Sequence, residues 1–378
     1  MARFAIDLTA TWRPQRVGMV TVSIELAKAL IANRGKDQYT ILCSRERPPE
    51  LEGLACEAVF APYRHEVPLK TRWIPAIEPQ LGCDAILYPY WPSPPLRRAG
   101  APPAAVFVHD LAFRITPSEV PWQQRLYMGA TLGRSLRDAA AILVPSEATK
   151  RDLMRFYRGP GMEEKTEVVP EGLTPAAPAG ALPEGIEPGY VLAVGTIEPR
   201  KNYLRLLAAY RRLRSGTLPF IINGRPGVPQ LVIAGRPGWA YGDTLIRIRQ
   251  EPGVKYLGHV DEATLSALYE SASVLAYPSV YEGFGLPLLE AMSRGLPAVI
   301  GSAGALPELA DGAAIAVDPQ NETAIAEALE RLLAQPDLRS KLGEEGKSRA
   351  ASYTWEGAAK KTQAVLTRIA SNAARKVA

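Results

Sequence analysis

Between Tyr277 and Pro297 the chain reads YPSVYEGFGLPLLEAMSRGLP, and Glu282, Gly283, Gly285, Pro287 and Glu290 stand there at spacings suited to anion chemistry. Ser273 to Tyr277 is an apolar run of strand type that leads into a glycine-bearing loop and then a helix start. Gly283 and Gly285 let backbone N–H groups come close to a ligand, Pro287 suits the first helical position, and Leu288 to Met292 carry the helix on. A helix N-terminus so built binds anions, because its first N–H groups have no partner within the helix and its dipole favours negative charge. With Pro287 as the first helical residue, Glu290 falls at the end of the first turn while Glu282 stays on the loop. The two glutamates flank a phosphate-sized gap from opposite sides and are not expected to work as one acid–base couple. A carboxylate in a first turn can do no more than complement the dipole; the whole run, not Glu290 alone, favours a ligand.

Two other segments put chemistry at strand ends. From Ala193 the sequence AVGTIEPRKNYLRLL reads as a strand end, a turn and a helix start, with Arg200 and Lys201 at its mouth. Cations beside a helix start oppose the dipole, and ligands of open α/β sheets bind outside the carboxyl ends of strands, so this pair suits a phosphate. The strand of Val106 to Val108 delivers His109, one of only three histidines, to a carboxyl end. Asp110 after it either orients the imidazole or caps the following turn.

The Tyr277–Pro297 run resembles the signature of the retaining glycosyltransferases of family four, two-domain GT-B enzymes that use nucleotide sugars. The resemblance implies that Glu282 touches the donor sugar, that Glu290 meets the ribose hydroxyls, and that the backbone of Phe284, Gly285 and Leu286 lies on the diphosphate. It extends to Lys201, at the position of the family's diphosphate lysine. Many members carry an arginine directly after the strand glycine, where this chain has Thr196, which leaves open whether Arg200 substitutes. His109 resembles the family's donor-sugar histidine. Gly18 matches the first glycine of its Gly-rich loop, here Arg13 to Val20, with backbone approach at Gly18 and Met19 and Val20 in place of the second glycine. The family places the base at AGRPGW, Ala234 to Trp239, with Tyr256 to Val260 beside it, which puts Val260 among the donor contacts. Ser146-Glu147 with Lys150-Arg151 resembles a family turn; capping by Ser146 suffices to explain it, and Lys150 is a candidate acceptor contact. His65 and His259 are read as non-catalytic.

The elements that must position these residues alternate in type. Phe4 to Asp7, Tyr39 to Leu42, Ala85 to Tyr88, Ala105 to Val108 and Ala141 to Val144 are short apolar runs expected of buried parallel strands, and a helix ending near Gly35 separates the first two. From Pro170 to Pro188 prolines, glycines and alanines crowd without period and mark a domain boundary. The rhythm then restarts, with strands at Tyr190 to Val194, Gln230 to Ala234, Lys255 to Leu257, Ser273 to Tyr277, Ala298 to Ile300 and Ala314 to Val317. Helices are expected from Asn202 to Leu213, Glu262 to Ser271, Leu286 to Arg294, Glu322 to Ala334, Leu338 to Ala351 and Trp355 to Ile369. Residues 215–229 read as an unpatterned surface insertion. The expected fold is α/β, with two doubly wound Rossmann-like domains, 1–175 and 186–355. By resemblance they face across a GT-B cleft, the first binding acceptor and the second nucleotide sugar, and the helix of 356–378 packs back on the first.

Composition sets the outer bounds. At 378 residues, 22% charged and 47% hydrophobic, the chain is neither disordered nor an integral membrane protein. The opening MARFAIDLTATWRP reads as a first strand and not a signal peptide, and Cys43, Cys56 and Cys83 have no ligand spacing, which fits a reducing cytoplasm. Net charge is +5, with Lys360, Lys361, Arg368, Arg375 and Lys376 in an acid-free tail from Gly357. No nucleic-acid-binding module accompanies it. A solvated helix face is the plainer reading; weak contact with an anionic inner membrane face is the other, supported by alternating aromatic and basic residues at Phe60 to Arg64 and Lys70 to Trp73. No Asp-x-Asp motif ends a strand, so no metal or cofactor is expected, and Lys201, Arg200 and the Leu286 helix must meet the leaving-group charge. The resemblance implies transfer of a hexose, mannose from GDP-mannose first and glucose from UDP-glucose next, to a saccharide or lipid-linked acceptor in polysaccharide biosynthesis. A nucleotide-sugar epimerase on this fold and a catalytically degenerate scaffold are the alternatives.

Overall fold

Short runs of wholly buried aliphatic residues make the sheets. The computed structural model describes residues 1–11, 18–63, 65–90, 92–216, 220–222 and 225–377. Contacts divide the chain into two units, the first Met1–Leu111, Trp122–Thr174 and Tyr353–Ala378, the second Ala112–Pro121 and Pro175–Ser352.

In the first unit the strands are β1 (Arg3–Asp7), β2 (Gln38–Cys43), β3 (Glu57–Phe60), β4 (Ala85–Tyr88), β5 (Ala104–Phe107), β6 (Ala141–Val144) and β7 (Thr166–Val168). They pair in parallel in the order β3-β2-β1-β4-β5-β6-β7. Strands β4, β5 and β6 are buried at every position, as helices on both faces of a parallel sheet require. The edge strands β3 and β7 carry polar, partly exposed residues and so lack the apolar run that marks the others in the sequence. Helix Gly18–Ala32 begins at Gly18, so Gly18 and Met19 form a first helical turn and not a loop; residues 13–17 of the expected Gly-rich loop lie outside the described residues. The last helix runs from Trp355 to Val377 and packs on Gly18–Ala32 and the sheet. It is tied by Trp355 Nε1 donating to Thr174 Oγ1 at 3.0 Å and Gln363 Nε2 to Asp37 Oδ2 at 2.9 Å.

The second unit holds β8 (Val191–Val194), β9 (Phe220–Ile222), β10 (Arg225–Gly227), β11 (Leu231–Ala234), β12 (Val254–Gly258), β13 (Val274–Tyr277), β14 (Ala298–Gly301) and β15 (Ile315–Val317). Its parallel sheet runs β12-β11-β8-β13-β14-β15. Strands β9 and β10 pair antiparallel inside the stretch expected to be an unpatterned insertion; backbone pairing made them a ribbon where no apolar alternation announced one, and residues 217–219 and 223–224 lie outside the described residues. Ala112–Pro121 sits with this unit although sequence analysis left it in the first; Glu119 O there accepts from Trp239 Nε1 at 2.8 Å. Helices Trp122–Asp138 and Gly242–Gln250 also escaped the sequence reading, the former because its first half is exposed nearly all round and shows no apolar stripe. Among the described residues no helix is long and apolar enough to cross a membrane.

In each sheet the strand order reverses direction beside the first strand of the unit, between β1 and β4 and between β8 and β13. Loops leave that point in opposite directions and open a crevice at the carboxyl ends, where open α/β sheets bind ligands.

Candidate functional site

At the β8/β13 crevice, the loop after β8 is built to hold two cations still. Glu198 is extended, Pro199–Lys201 makes one 3-10 turn, and Asn202 turns the chain through the left-handed region at φ 63°. Asn202 is buried, and its Nδ2 donates to Pro278 O at 3.0 Å and Pro319 O at 2.7 Å, which pins the turn to the loops after β13 and β15. Val280 N donates to Arg200 O at 2.9 Å and completes the lock.

The loop after β13 brings the carboxylate. Ala305 N donates to Glu282 O at 2.9 Å, and a side chain at Gly304 would place its Cβ 2.4 Å from that oxygen, so only glycine allows the approach. Gly285, at φ 117°, turns the chain into helix Leu286–Ser293; a Cβ there would meet Leu306 at 2.5 Å. Leu286 is the first helical residue and Pro287 the second, so Glu290 lies just past the first turn, one position later than the sequence reading placed it.

Glu282, Lys201 and Arg200 converge. Lys201 Nζ donates to Glu282 Oε1 at 2.6 Å and to Tyr277 Oη at 2.7 Å, and Tyr277 Oη donates to the same Oε1 at 2.9 Å. Arg200 Nη1 donates to Glu282 Oε2 at 2.6 Å and to Tyr281 O at 2.9 Å. Its Nε and Nη2 face Glu198 Oε1 at 3.2 and 2.9 Å, so the guanidinium is held on two edges. The side chains are 11% exposed for Lys201 and 14% for Arg200, so these are not solvated surface charges. Burial opposes ionisation of Glu282, but Arg200 and Lys201 outweigh it and hold the carboxyl at about 2. Burial pushes the Glu198 carboxyl up, with Arg200 and Lys201 pulling against it.

Glu290 stands apart from this cluster. Its Oε2 accepts from Tyr269 Oη at 2.8 Å, burial raises its carboxyl above the ordinary range, and Arg294 lies over the Tyr269 ring at 4.9 Å. Phe284 is buried between the two glutamates in sequence, ahead of Gly285 and Leu286. The AGRPGW loop is laced to the cationic loop, with Ile197 N donating to Arg236 O at 2.8 Å and Gly238 N to Ile197 O at 3.0 Å. Tyr256 Oη donates to Gly235 O at 2.9 Å, and Val260 follows β12 just before Asp261 caps the next helix through Thr264 N at 2.7 Å.

His109, Gly18 and Met19 belong to the first unit. His109 is buried and stacked on Phe107, its Nε2 2.7 Å from Pro89 O and its Nδ1 3.1 Å from Glu171 Oε1. The carboxylate on the imidazole is therefore Glu171, 62 residues on, where the sequence offered Asp110. Sequence reasoning also missed Glu198, Tyr277 and Tyr269. Glu198 had a legible signal, a carboxylate two residues before a cation across a proline; the tyrosines looked like core residues.

Residues 17–177 match the family described as Glycosyltransferase Family 4, and residues 182–349 that described as Glycosyl transferases group 1. The chain is 33% identical to the O-antigen chain mannosyltransferase B of Escherichia coli over 68% of each chain. It is also 33% identical to the MMP alpha-(1->4)-mannosyltransferase of Mycolicibacterium hassiacum, over 61% of this chain and 55% of that relative. Among solved structures, the sucrose-phosphate synthase of Thermosynechococcus elongatus superposes with a TM-score of 0.74 at 21% identity, covering 98% of this chain and 99% of that one. WaaG, a glycosyltransferase involved in lipopolysaccharide biosynthesis, gives 0.67 at 16% identity over 97% and 100%. With two glutamates, a lysine and a helix N-terminus arranged around one switch point, and with these relatives, the chain belongs to the family four glycosyltransferases and has their GT-B fold.

Proposed function

We propose that this glycosyltransferase moves mannose from GDP-mannose, with retention at the anomeric carbon and without a metal, to a saccharide or lipid-linked saccharide acceptor. The convergence of Lys201 and Arg200 on Glu282 beside the Leu286 helix N-terminus carries the reading. In it the second unit takes the nucleotide sugar and the first the acceptor. The two cations and the first N–H groups of the helix receive the diphosphate, and Glu282 turns to the sugar hydroxyls. Glu290 takes the ribose hydroxyls; its raised carboxyl and its tyrosine partner suit a group that exchanges hydrogen bonds with a neutral diol. Val260 borders the base. His109 serves donor-sugar recognition by resemblance.

The step balances without an external base. The bond from the anomeric carbon to the phosphate oxygen breaks, the acceptor oxygen bonds that carbon on the same face, and the acceptor proton passes to the departing phosphate. Charge on the leaving diphosphate grows toward the transition state, where Lys201 and Arg200 act, each worth ~10²–10³ in rate. Arg200 supplies the second cation that Thr196 does not. Mannose is favoured because named relatives at 33% identity are mannosyltransferases. UDP-glucose is the second donor, because a neighbour at TM-score 0.68 was solved with UDP and glucose.

The test is a thermal-shift titration with GDP, UDP and their sugars, since a ligand that binds the native state raises its midpoint with concentration. GDP and GDP-mannose are expected to raise it most, and no response to any nucleotide would overturn the reading. Transfer is expected to survive EDTA; loss that magnesium restores would overturn metal independence. Donor turnover to an epimer without acceptor would instead make the protein an epimerase.

A further inference from the structure

The basic segments that suggested a membrane contact from sequence are largely neutralised in the structure. Lys70 is buried against Asp7, Lys360 pairs with Glu356 at 2.7 Å, and Arg368 pairs with Glu167. Arg64 lies outside the described residues. A buried charge still without a role stands in the second unit, on Glu198.

The backbone fixes where Glu198 stands. It is extended at φ −145° and ψ 156°, Pro199 stiffens the step after it, and its carbonyl accepts from Lys201 N at 3.1 Å, so the turn that carries both cations starts from it. The AGRPGW loop backs it from behind. Ile197 bridges to Pro237, and a Cβ on Gly238 would stand 2.6 Å from Thr196 Cγ2 and 3.4 Å from Glu198 Cβ. From this braced position the side chain, 4% exposed, takes Nε and Nη2 of Arg200 on one oxygen at 3.2 and 2.9 Å. Two donors on one edge fix the plane of the guanidinium and leave Nη1 to meet Glu282 Oε2. Burial raises the Glu198 carboxyl more than Arg200 and Lys201 lower it, so its ionisation costs stability as pH rises from the ordinary carboxylate value through the raised one. A carboxylate whose charge does not stabilise the fold is kept for the site.

We propose that Glu198 is a positioning residue for the transfer step: it grips the Nε–Nη2 edge of Arg200 so that Nη1 meets the departing diphosphate once Glu282 has turned to the sugar, an inference that rests on the donor reading above. Glu282 then no longer orders the guanidinium, and Glu198 alone among its carboxylate partners still does. The benefit falls on the transition state, where leaving-group charge is greatest. The test is GDP release from GDP-mannose with methyl α-mannoside as the acceptor probe, together with GDP affinity by calorimetry. Glu198→Ala should lower kcat roughly ten- to a hundredfold, while KM and GDP affinity move much less. In an Arg200→Ala background the same change should cost nothing further, because a residue that acts only through Arg200 has nothing left to align. Glu198→Gln keeps the reach and gives up the charge, Glu198→Asp does the reverse, and the Gln variant is expected to be the faster. Thermal midpoints of the Ala and Gln variants should hold or rise slightly at neutral pH, which a purely structural role would not allow. Wild-type kcat in Glu198→Ala, a loss that multiplies with that of Arg200→Ala, or an Asp variant faster than the Gln variant overturns the proposal. If Arg200→Ala itself turns over like the wild type, the phosphate role of Arg200 falls and the alignment with it. If that variant is slow and Glu198→Ala is not, the donor reading stands and only the alignment falls.

Discussion

Each unit carries a lysine, a carboxylate and a tyrosine at its own switch point. In the first, Lys70 Nζ meets Asp7 Oδ2 at 2.5 Å and stands 5.1 Å over the ring of Tyr88, the last residue of β4. In the second, Lys201 Nζ meets Glu282 Oε1 at 2.6 Å and stands 4.9 Å over the ring of Tyr277, the last residue of β13. The surroundings differ. Asp7 ends its own strand and gives its other oxygen to Thr9, Tyr88 donates to Glu78, and Glu78 is taken by Arg97. Every charge there is spent inside the unit. Glu282 instead sits on a glycine-bearing loop that leads into a helix N-terminus, and a second cation, Arg200, shares it. The comparison teaches that a buried ion pair at a strand end becomes a site only when its neighbours can exchange one anion for another.

The sharpest break between the two comes from deleting each lysine. Lys70→Ala leaves Asp7 buried without its counter-ion and should cost about 3–5 kcal/mol of stability, read by denaturant unfolding, without changing nucleotide affinity in the protein that remains folded. Lys201→Ala should lower kcat by ~10²–10³ while weakening donor binding less, because the charge it meets grows toward the transition state. Wild-type turnover in that variant would make the second pair as structural as the first.

Acid should test the second pair next. The Glu282 carboxyl is held down from the ordinary 4.5 to about 2, so its ion pairs stabilise the fold fully above the ordinary value, and that stabilisation is lost as pH falls through about 2. The stability gap between wild type and Glu282→Gln, about 3 kcal/mol from that shift, should therefore narrow steadily below pH 4.5. A gap that is flat across this range would show that the cations do not hold the carboxylate.

Glu290 should behave in the opposite sense. Its carboxyl is raised by burial, so its ionisation costs the fold stability once pH rises from the ordinary carboxylate value through the raised one. Glu290→Gln should keep or slightly raise the thermal midpoint at neutral pH while weakening nucleotide binding by about 1.5–3 kcal/mol, as for a charge-assisted hydrogen bond. Unchanged affinity by calorimetry would remove Glu290 from the ribose.

Local sequence was enough for the central strands, because a strand buried on both faces must be apolar throughout, and for Gly285 and Pro287, whose backbone needs leave few substitutes. Edge strands β3 and β7, half exposed, left no such trace, nor did the β9–β10 ribbon. The types and spacing of Glu282, Gly285, Glu290 and Lys201 announced anion chemistry before any fold was known. What only the tertiary structure decided was partnership. Arg200 reaches Glu282 across 82 positions, Glu171 reaches His109 across 62, and Lys70 closes on Asp7 across 63. Nothing local encodes such pairings: a side chain's partner is set by which strands lie side by side, and strand order is a property of the whole packed sheet. For the same reason Lys70, which read from sequence as part of a surface segment, showed itself as a buried strut for Asp7 only against its neighbours.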